Sequence, residues 1–438
     1  MSRTDADVIV IGAGAAGLAA AGELVRAGRS VLLLEARDRI GGRICTRREA
    51  GLSVPLELGA EFIHGPAPLT RALLEHAGAG AIDMAGSRWT LRAGELQPAE
   101  DWLEDLTRAL GKAEILKRQD LSFDALLELL PGVGPETKVA ARRLAEGFDA
   151  ADTARASARA IAAEWAGDTL GNTPQSRPEG GYASLLEALS QPLRAADARV
   201  QLQSPVRSVL WSHGSVAVAG ERLGTRFEAH AARAIITLPL GVLQAGDAGS
   251  GGVHFVPALS AKRAAFQALA SGAIIKVLLR FRTPFWEQLH AGRYRKASFF
   301  HAPEALIPTF WTPYPARAPL LVAWSGGPRA QQLAAGASAA QIARAAMTAL
   351  QSLFGEGPAV DELLEGYYLH EWQSDPYACG AYSYLLVGGE QARAQLAQPL
   401  GATLFFAGEA TDPEEAGTVT GALRSGVRAA RQVLDGIP

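Results

Sequence analysis

The chain has 438 residues, of which 48% are apolar and 20% are charged, and its net charge is −3. This length corresponds to two or three domains, and a chain of this size buries enough apolar surface to fold without disulfides or metals. The near-neutral charge gives no electrostatic reason to expect nucleic-acid binding. The 47 Gly and 24 Pro residues follow no period, which excludes collagen-like and low-complexity classes.

The cysteines and histidines limit the chemistry further. Cys45 and Cys379 are the only cysteines, so a disulfide framework and a cysteine-rich metal site are excluded. The 8 histidines form no HxH or HxxxH pair, and we expect no metal site. The first residues lack the pattern of a signal peptide, and no apolar run of about 18 residues occurs. We therefore expect a cytoplasmic protein with no membrane or nucleic-acid partner.

The predicted elements begin with a strand, a helix and a strand. Val8–Ile11 and Val31–Leu34 are short apolar runs, which are typical of buried strands. Between them, the Ala/Leu-rich segment from Leu18 to Ala27 predicts a helix. Gly28 follows as its C-cap.

Helical and strand patterns then alternate along the chain, and the stretch from about 80 to 178 is predicted to be mostly helical. Helices are predicted at Asp101–Arg118, Ser122–Leu130, Glu136–Ala150, Ser260–Leu269, Ser338–Phe354 (with Ser338 as N-cap) and Gly421–Leu434. Strands are predicted at Arg199–Gln203, Val206–Trp211, Val216–Ala219, Arg233–Leu238, Ala273–Phe281, Leu320–Trp324 and Leu404–Ala407. The alternation favours two domains threaded through each other.

A glycine-rich turn follows the first strand, where residues 12–17 read GAGAAG. Gly12 permits a tight turn, Gly14 lets the backbone approach a pyrophosphate, and Gly17 lets the helix pack closely on the strand. The helix N-terminus then presents free N–H groups to phosphates. Glu35 ends the second strand, where its carboxylate can accept hydrogen bonds from ribose hydroxyls. The unit predicts dinucleotide binding.

The cofactor itself is left open between NAD and FAD by that unit. Arg37 and a second glycine-rich turn, Gly41-Gly42-Arg43, follow directly. A fixed guanidinium at such a turn suits a bidentate phosphate contact.

At this point the sequence resembles the flavin-containing amine oxidase family, which includes monoamine oxidases, polyamine oxidases and histone lysine demethylases. The resemblance covers nearly the whole chain. It rests on Val8–Gly17 with Glu35, Gly41-Gly42-Arg43, LGAEFIHG at 58–65, Lys276 ahead of Phe285-Trp286, DPY at 375–377 before GAYSY at 380–384, and LFFAGEAT at 404–411 before TVTGA at 418–422.

The resemblance implies an α/β fold with a Rossmann-type FAD-binding domain interleaved with a substrate domain of mixed sheet and helices. We expect the FAD-binding domain at residues 1–80, 179–260 and 374–438, and the substrate domain at 81–178 and 261–373. The resemblance further implies FAD contacts from Gly12, Gly14, Ala16, Gly17, Glu35, Ala36, Arg37, Gly42, Arg43, Gly59, Ala60, Glu61, Phe62, Val206, Gly408, Glu409, Thr418 and Val419.

The flavin is expected to be bound without a covalent link. Animal monoamine oxidases attach it through a cysteine directly before the cage tyrosine, and here that position is Ala381. Cys379 lies two residues earlier and would need a shift of register to reach the ring.

Lys276 stands out on sequence grounds. The chain has only six lysines, and five lie in polar or helical-surface contexts, whereas Lys276 lies inside an apolar strand pattern. A buried ammonium needs a partner or a task. The alternative is an edge-strand lysine that reaches solvent. Members of the family place this lysine beside flavin N5 through a water, and Lys276 matches that position.

Three further residues are expected around the reacting amine. Tyr382 matches one wall of an aromatic cage, and Thr418 occupies the opposite position, where monoamine oxidases have a second tyrosine. His64 matches a residue near the substrate amine in polyamine oxidases. Glu61 in the same loop has two open interpretations, which are attraction of a cationic substrate and pairing with an arginine.

The resemblance implies oxidation of an amine, with hydride transfer from the carbon bearing nitrogen to the flavin, hydrolysis of the imine, and reoxidation by O₂ to hydrogen peroxide. A polyamine or primary monoamine is the expected substrate. An L-amino acid is the alternative and would need an arginine such as Arg88 or Arg317 at the cavity. A carbon–carbon desaturase and a non-catalytic flavoprotein are more distant alternatives. The oligomeric state is left open.

Overall fold

The computed structural model describes residues 4–99, 103–166, 175–246, 251–355 and 359–436. The helices are α1 (Ala15–Arg26), α2 (Pro68–His76), α3 (Leu103–Gly111), α4 (Ile115–Arg118), α5 (Phe123–Leu129), α6 (Pro135–Phe148), α7 (Ala158–Ala166), α8 (Ala183–Ala195), α9 (Leu240–Ala245), α10 (Arg263–Gln267), α11 (Gly327–Ala334), α12 (Ala339–Phe354), α13 (Val360–Leu363), α14 (Ala392–Ala397) and α15 (Val419–Asp435).

The strands lie between these helices, and several of them are only two to four residues long. They are β1 (Val8–Ile11), β2 (Val31–Leu34), β3 (Thr46–Arg47), β4 (Leu56–Glu57), β5 (Ala81–Asp83), β6 (Ser87–Arg92), β7 (Glu95–Pro98), β8 (Ser176–Pro178), β9 (Arg199–Gln201), β10 (Val206–Ser212), β11 (Ser215–Arg222), β12 (Thr225–Ala231), β13 (Arg233–Ile236), β14 (His254–Val256), β15 (Leu269–Ser271), β16 (Ile274–Phe281), β17 (Ala297–His301), β18 (Thr309–Trp311), β19 (Leu320–Gly326), β20 (Leu364–Leu369), β21 (Ser383–Leu385) and β22 (Leu404–Phe406).

A five-stranded parallel sheet in the order β22-β13-β1-β2-β9 carries the dinucleotide-binding turn. β1 and β2 have the predicted bounds, and all of their residues are buried because both faces of the sheet are covered. α1 begins at Ala15, three residues before the predicted start, because Gly14 is its N-cap. The predicted fold class, a Rossmann-type unit within a mixed α/β chain, is confirmed.

A seven-stranded sheet in the order β20-β16-β19-β18-β17-β6-β7 forms the second large sheet. β16 pairs antiparallel with β19 on one side and with β20 on the other. Lys276 therefore lies on an interior strand, is only 3% exposed, and does not reach solvent as an edge-strand lysine would. A smaller sheet has the order β12-β11-β10-β14.

The strands of the two large sheets come from different parts of the sequence. The five-stranded sheet uses segments between 8 and 34, between 199 and 236, and at 404–406. The seven-stranded sheet uses segments between 87 and 98 and between 274 and 369. These segments are compatible with the interleaved domain boundaries, which stay a prediction.

Several predicted elements differ from the structure. The stretch from 80 to 178 is not only helical, because the hairpin β6–β7 extends the seven-stranded sheet and β8 pairs with β5. The predicted 260–269 helix is a short 3₁₀ turn at Ser260–Lys262 followed by α10, and Leu269 already belongs to β15. Residues 101 and 102 of the predicted 101–118 helix lie outside the described residues. The remainder is divided into α3 and α4. The strands that were not predicted also include β3, β4, β12, β14, β15, β17, β18, β20 and β21.

Other elements match closely. α12 begins after Ser338, whose hydroxyl accepts a hydrogen bond from the Gln341 N–H while the Gln341 side chain accepts one from the Ser338 N–H. This capping box confirms the predicted N-cap. Within the described residues, no helix combines the length and the apolar character needed to cross a bilayer.

Lys262 is a second buried lysine, which corrects its expected polar context. It is 1% exposed, and its Nζ donates to the carbonyl oxygen of Gln395 at 2.7 Å and to that of Gln398. These carbonyls belong to the C-terminal end of α14, so the lysine caps that helix. Burial lowers the pKa of Lys262 to about 8.

Candidate active site

One cavity of about 2570 Å³ extends from the GAGAAG turn to Lys276. Its wall includes the four predicted catalytic residues Lys276, Tyr382, His64 and Thr418. It also includes the predicted cofactor residues Gly12, Gly14, Ala16, Glu35, Ala36, Arg37, Gly42, Arg43, Gly59, Ala60, Glu61, Phe62, Val206, Gly408, Glu409, Thr418 and Val419. Of the predicted set, Gly17 alone is not on the wall, because it faces the turn.

The geometry of the turn explains its three glycines. Gly12 has a φ of +104°, a conformation that other residues rarely adopt. A Cβ on Gly17 would lie 1.9 Å from the carbonyl oxygen of Gly12, so only glycine allows this packing of α1 on β1. Gly14 caps α1 without a side-chain hydrogen bond, which leaves the first N–H groups of the helix for a phosphate.

Glu35 and Arg37 stand beside the turn. Glu35 is buried, and its two carboxylate oxygens accept hydrogen bonds from the N–H groups of Ala13 at 2.7 Å and Arg37 at 2.9 Å. Each oxygen keeps a further lone pair for a ribose hydroxyl. The Arg37 side chain pairs with Asp375 at 3.0 Å, while its buried Nε has no partner. The glycine cradle and this free donor fit a dinucleotide.

Glu409 joins three segments of the wall. Its Oε1 accepts a hydrogen bond from Arg43 at 3.0 Å, and its Oε2 accepts from the Ser383 hydroxyl at 2.7 Å and the Gly417 N–H at 3.1 Å. Burial raises the pKa of Glu409, but Arg43, Arg393 and these hydrogen bonds together hold it below its usual value. The carboxylate therefore stays ionised and organises the wall.

Lys276 forms an ion pair with Glu61 across the cavity wall. Nζ lies 2.7 Å from Oε2 of Glu61, without the alignment of a hydrogen bond. It donates a hydrogen bond to the carbonyl oxygen of Gly59 at 3.0 Å and lies 5.6 Å from the centre of the Trp311 ring. Lys276 thus has the partner that its burial requires.

The other oxygen of Glu61 has two more partners. Its Oε1 accepts hydrogen bonds from Arg177 Nε at 2.7 Å and from Trp311 Nε1 at 2.9 Å. Burial raises the pKa of Glu61, but the charges of Lys276 and Arg177 together bring it below its usual value. The sequence left two interpretations of Glu61 open, attraction of a cationic substrate and pairing with an arginine, and the structure shows the pairing with Arg177. Nothing local in the sequence indicated Arg177 or Trp311, which are far from Glu61 along the chain.

Tyr382 and His64 lie on the same part of the wall, beside Phe148. The Tyr382 hydroxyl donates to the carbonyl oxygen of Phe148 at 2.7 Å, which fixes the ring. The His64 ring meets the Phe148 ring edge-on, with centroids 5.2 Å apart. Burial lowers the pKa of His64 to about 4, so the imidazole is neutral at physiological pH. Its buried Nδ1 has no hydrogen-bond partner.

Thr418 is the N-cap of α15. Its hydroxyl accepts a hydrogen bond from the Gly421 N–H at 3.0 Å and donates to the carbonyl oxygen of Glu415 at 2.7 Å. Both hydrogen bonds of the hydroxyl are therefore made at the helix terminus, and the rest of the Thr418 side chain lines the cavity.

A pair of carboxyl groups on the wall was missed by sequence reasoning. Asp149 follows α6 and is buried, whereas Glu164 on α7 is exposed to the cavity. Oδ1 of Asp149 is buried and has no hydrogen-bond partner among the described residues. Burial raises the pKa of Asp149, and the charge of Glu164 raises it further. The two acids come from helices with ordinary surface patterns, so no local signal distinguished them.

The two cysteines are not among the residues that line the cavity. The Sγ atom of Cys379 lies 3.6 Å from the carbonyl oxygen of Pro376, while Ala381 lies on the wall beside Tyr382.

Residues 15–84 and 88–434 match the flavin containing amine oxidoreductase family, and the chain belongs to this family. The cofactor of the family is a flavin, and the cavity beside the GAGAAG turn suits it as FAD.

Individual relatives support the same assignment. The chain is 30% identical to the human lysine-specific histone demethylase 2 over 97% of its own length and 53% of that protein. It is 27% identical to the probable polyamine oxidase 4 of Arabidopsis thaliana, over 97% of this chain and 86% of the relative. The chain thus spans about half the length of the human demethylase. The structure of putrescine oxidase bound to putrescine shares the fold, with a TM-score of 0.79 and 22% identity over 98% of this chain and 99% of that one.

Proposed function

We propose that the protein is an FAD-dependent amine oxidase whose substrate is a polyamine or a primary amine. The observation that carries the proposal is that Lys276, Tyr382 and His64 share one cavity with the dinucleotide-binding turn. Polyamine oxidase and histone demethylase relatives support an amine as the donor.

The flavin, when bound, supplies the hydride acceptor and, through O₂, the return to the oxidised state with hydrogen peroxide as product. The chain itself must hold the amine with its C–H bond towards that acceptor and must exclude water. The oxidised product is an imine, which hydrolyses to a carbonyl compound and releases the nitrogen as an amine or ammonia.

Tyr382 and His64 suit the reacting end of the substrate. The Tyr382 ring is held by the hydrogen bond to Phe148, so it forms a fixed aromatic wall for an amine. Burial first, and then the charges of Asp149, Glu164 and Glu409, raise the pKa of Tyr382, so its hydroxyl stays protonated. The neutral His64 does not repel an arriving cation.

The Asp149–Glu164 pair supports a substrate with a second positive charge. Because burial and the charge of Glu164 both raise the pKa of Asp149, the two groups favour sharing one proton. An ammonium group beside Glu164 would displace that proton and gain a charge-assisted hydrogen bond. A diamine or polyamine then binds with one nitrogen at Tyr382 and another at the pair.

A peroxide-coupled screen tests the function. The flavin-loaded protein is offered linear diamines and polyamines, primary monoamines of equal length and L-amino acids. We expect peroxide from the amines, with the lowest KM for compounds that carry two ammonium groups. Absence of turnover with every amine would reject the proposal in favour of a desaturase or a non-catalytic flavoprotein.

The Glu164→Gln variant tests the carboxyl pair separately. A charged hydrogen bond contributes about 1.5–3 kcal/mol, so we expect KM for a diamine to rise roughly ten- to a hundredfold. KM for the matched monoamine should not change. Glu304→Gln is the control, because Glu304 also lines the cavity but pairs with Arg143. Equal losses for monoamine and diamine would contradict a role in binding the second charge.

The attachment of the flavin is a separate part of the proposal. Because Ala381 occupies the wall position before Tyr382 and both cysteines lie off the wall, we infer that FAD is held without a covalent bond.

Oxidation of an L-amino acid is a second candidate, favoured by Arg88. This residue lines the cavity, and its guanidinium lies 5.7 Å from the centre of the Phe299 ring. Arg317 is not on the wall and lies 3.7 Å from Glu287. In the screen, this candidate requires that the amino acid be preferred to the corresponding amine, and that Arg88→Gln abolish the preference.

A further inference from the structure

Three side chains from three different strands converge on the carboxylate of Glu61. Arg177 on β8 and Trp311 on β18 donate to Oε1, at 2.7 and 2.9 Å. Lys276 on β16 lies 2.7 Å from Oε2. The side chains of Lys276 and Glu61 are only 2% and 10% exposed. This is a buried charge cluster with two cations and one anion.

Lys276 has Glu61 as its anionic partner. Among the described residues, Glu61 is the one carboxylate in ion-pair contact with Lys276. The other polar contact of Nζ is the neutral carbonyl of Gly59. A buried ammonium without an anionic partner loses its proton readily, because burial and nearby cations both favour the neutral amine.

Glu61 is not available to a substrate cation. Its Oε2 has no solvent-accessible surface, and its Oε1 already accepts two hydrogen bonds. The negative charge is therefore balanced within the protein, which separates this residue from the Asp149–Glu164 pair.

We propose that Glu61 is a positioning residue that keeps Lys276 protonated and fixed against Gly59, so that the cavity wall presents a permanent positive charge to the flavin. The inference rests on the proposed function only in that the flavin lies beside Lys276. Such a charge stabilises negative charge on the reduced flavin, because the two charges are close together in a poorly solvated site.

Neutralising Glu61 changes the balance of the cluster. In Glu61→Gln, Arg177 and Lys276 are left as two cations that share a buried site, with no anion between them. The other titratable neighbour is Glu57. Burial raises the pKa of Glu57 to about 7, and the charge of Lys276 opposes that rise. In the variant, burial and the charge of Arg177 both favour the neutral amine of Lys276.

The test is a pH titration of the bound flavin, read from its visible absorption and its reduction potential. Neither readout needs turnover, so the result stands even if no amine is oxidised. In Glu61→Gln we expect a spectral transition and a break in the potential that depend on Lys276 and that the wild type does not show. The double variant Glu61→Gln/Lys276→Met must lose both.

Two further variants make the test specific. Arg280 lies on the same strand as Lys276, and its Nε is 2.9 Å from Oε2 of Glu365. The Glu365→Gln variant removes this partner, and its flavin must titrate as that of the wild type does. Glu61→Asp keeps the charge but lengthens the ion pair, so its transition must fall between those of the wild type and Glu61→Gln.

Identical titrations of Glu61→Gln and the double variant would overturn the inference. If Glu61→Gln does not retain flavin, the titration of Glu61→Asp tests the inference instead. A titration curve of Glu61→Asp identical to that of the wild type would then overturn the inference.

Discussion

Gly17→Ala should weaken flavin binding strongly although it adds one methyl group. The new Cβ would lie 1.9 Å from the carbonyl oxygen of Gly12, whereas an ordinary contact begins near 3.4 Å. The N-terminus of α1 must therefore move away from β1 by more than 1 Å. Overpacking of this kind costs about 1–3 kcal/mol, and the displaced N–H groups no longer meet the phosphates.

Gly22→Ala is the matched control in the same helix. A Cβ at Gly22 meets only the side chain of Arg26, at 3.7 Å. Replacement of a helical glycine by alanine there should be neutral or stabilising by up to about 1 kcal/mol.

The assay is the flavin content of the purified proteins, followed by titration of the stripped proteins with FAD. We expect at least a roughly hundredfold higher Kd for Gly17→Ala, which corresponds to about 3 kcal/mol, and an unchanged Kd for Gly22→Ala. If Gly17→Ala binds FAD as the wild type does, the close packing of α1 on the turn is not what places the phosphate site.

Three further predictions use the same protein. Lys276→Met should slow flavin reduction or reoxidation strongly in rapid-mixing experiments, because it removes the positive charge of Lys276 from the cavity wall; an unchanged rate would remove Lys276 from the mechanism. Glu57 is 5% exposed, and burial raises its pKa to about 7. The free energy of unfolding should therefore fall as the pH rises from about 4.5 to 7, because Glu57 ionises in the unfolded chain before it ionises in the folded one. In urea unfolding, Glu57→Gln should lack this loss of about 3 kcal/mol, and parallel pH profiles would refute it. Acid precipitation should release all flavin from the wild type, whereas a yellow pellet would show a covalent link despite Ala381.

Local patterns were sufficient where one short segment determines the structure. The turn at 12–17, its flanking strands and Glu35 could be predicted because each glycine has a conformational or packing reason within about twenty residues. Lys276 could be singled out because a charge within an apolar strand contradicts the pattern around it. The capping box at Ser338 is likewise a local signal.

The partners of these residues could not be predicted. Arg177 and Trp311 meet Glu61 only because β8, β18 and the 58–65 loop come together in space. Asp149 and Glu164 are ordinary acids at helix surfaces until the fold turns both to one cavity. The hairpin β6–β7 was missed because its alternating pattern is short and interrupted by polar residues, although Trp89, Leu91 and Leu96 pack into the core of the seven-stranded sheet beside the distant β17.

The measurement that tests the central claim most directly is anaerobic mixing of the flavin-loaded protein with a diamine. Without O₂, the account predicts that the oxidised flavin spectrum bleaches completely as the amine is consumed, and that admission of O₂ restores the spectrum with release of peroxide. A flavin that stays oxidised in the presence of every diamine, polyamine and monoamine would contradict the account, even if the cofactor is tightly bound.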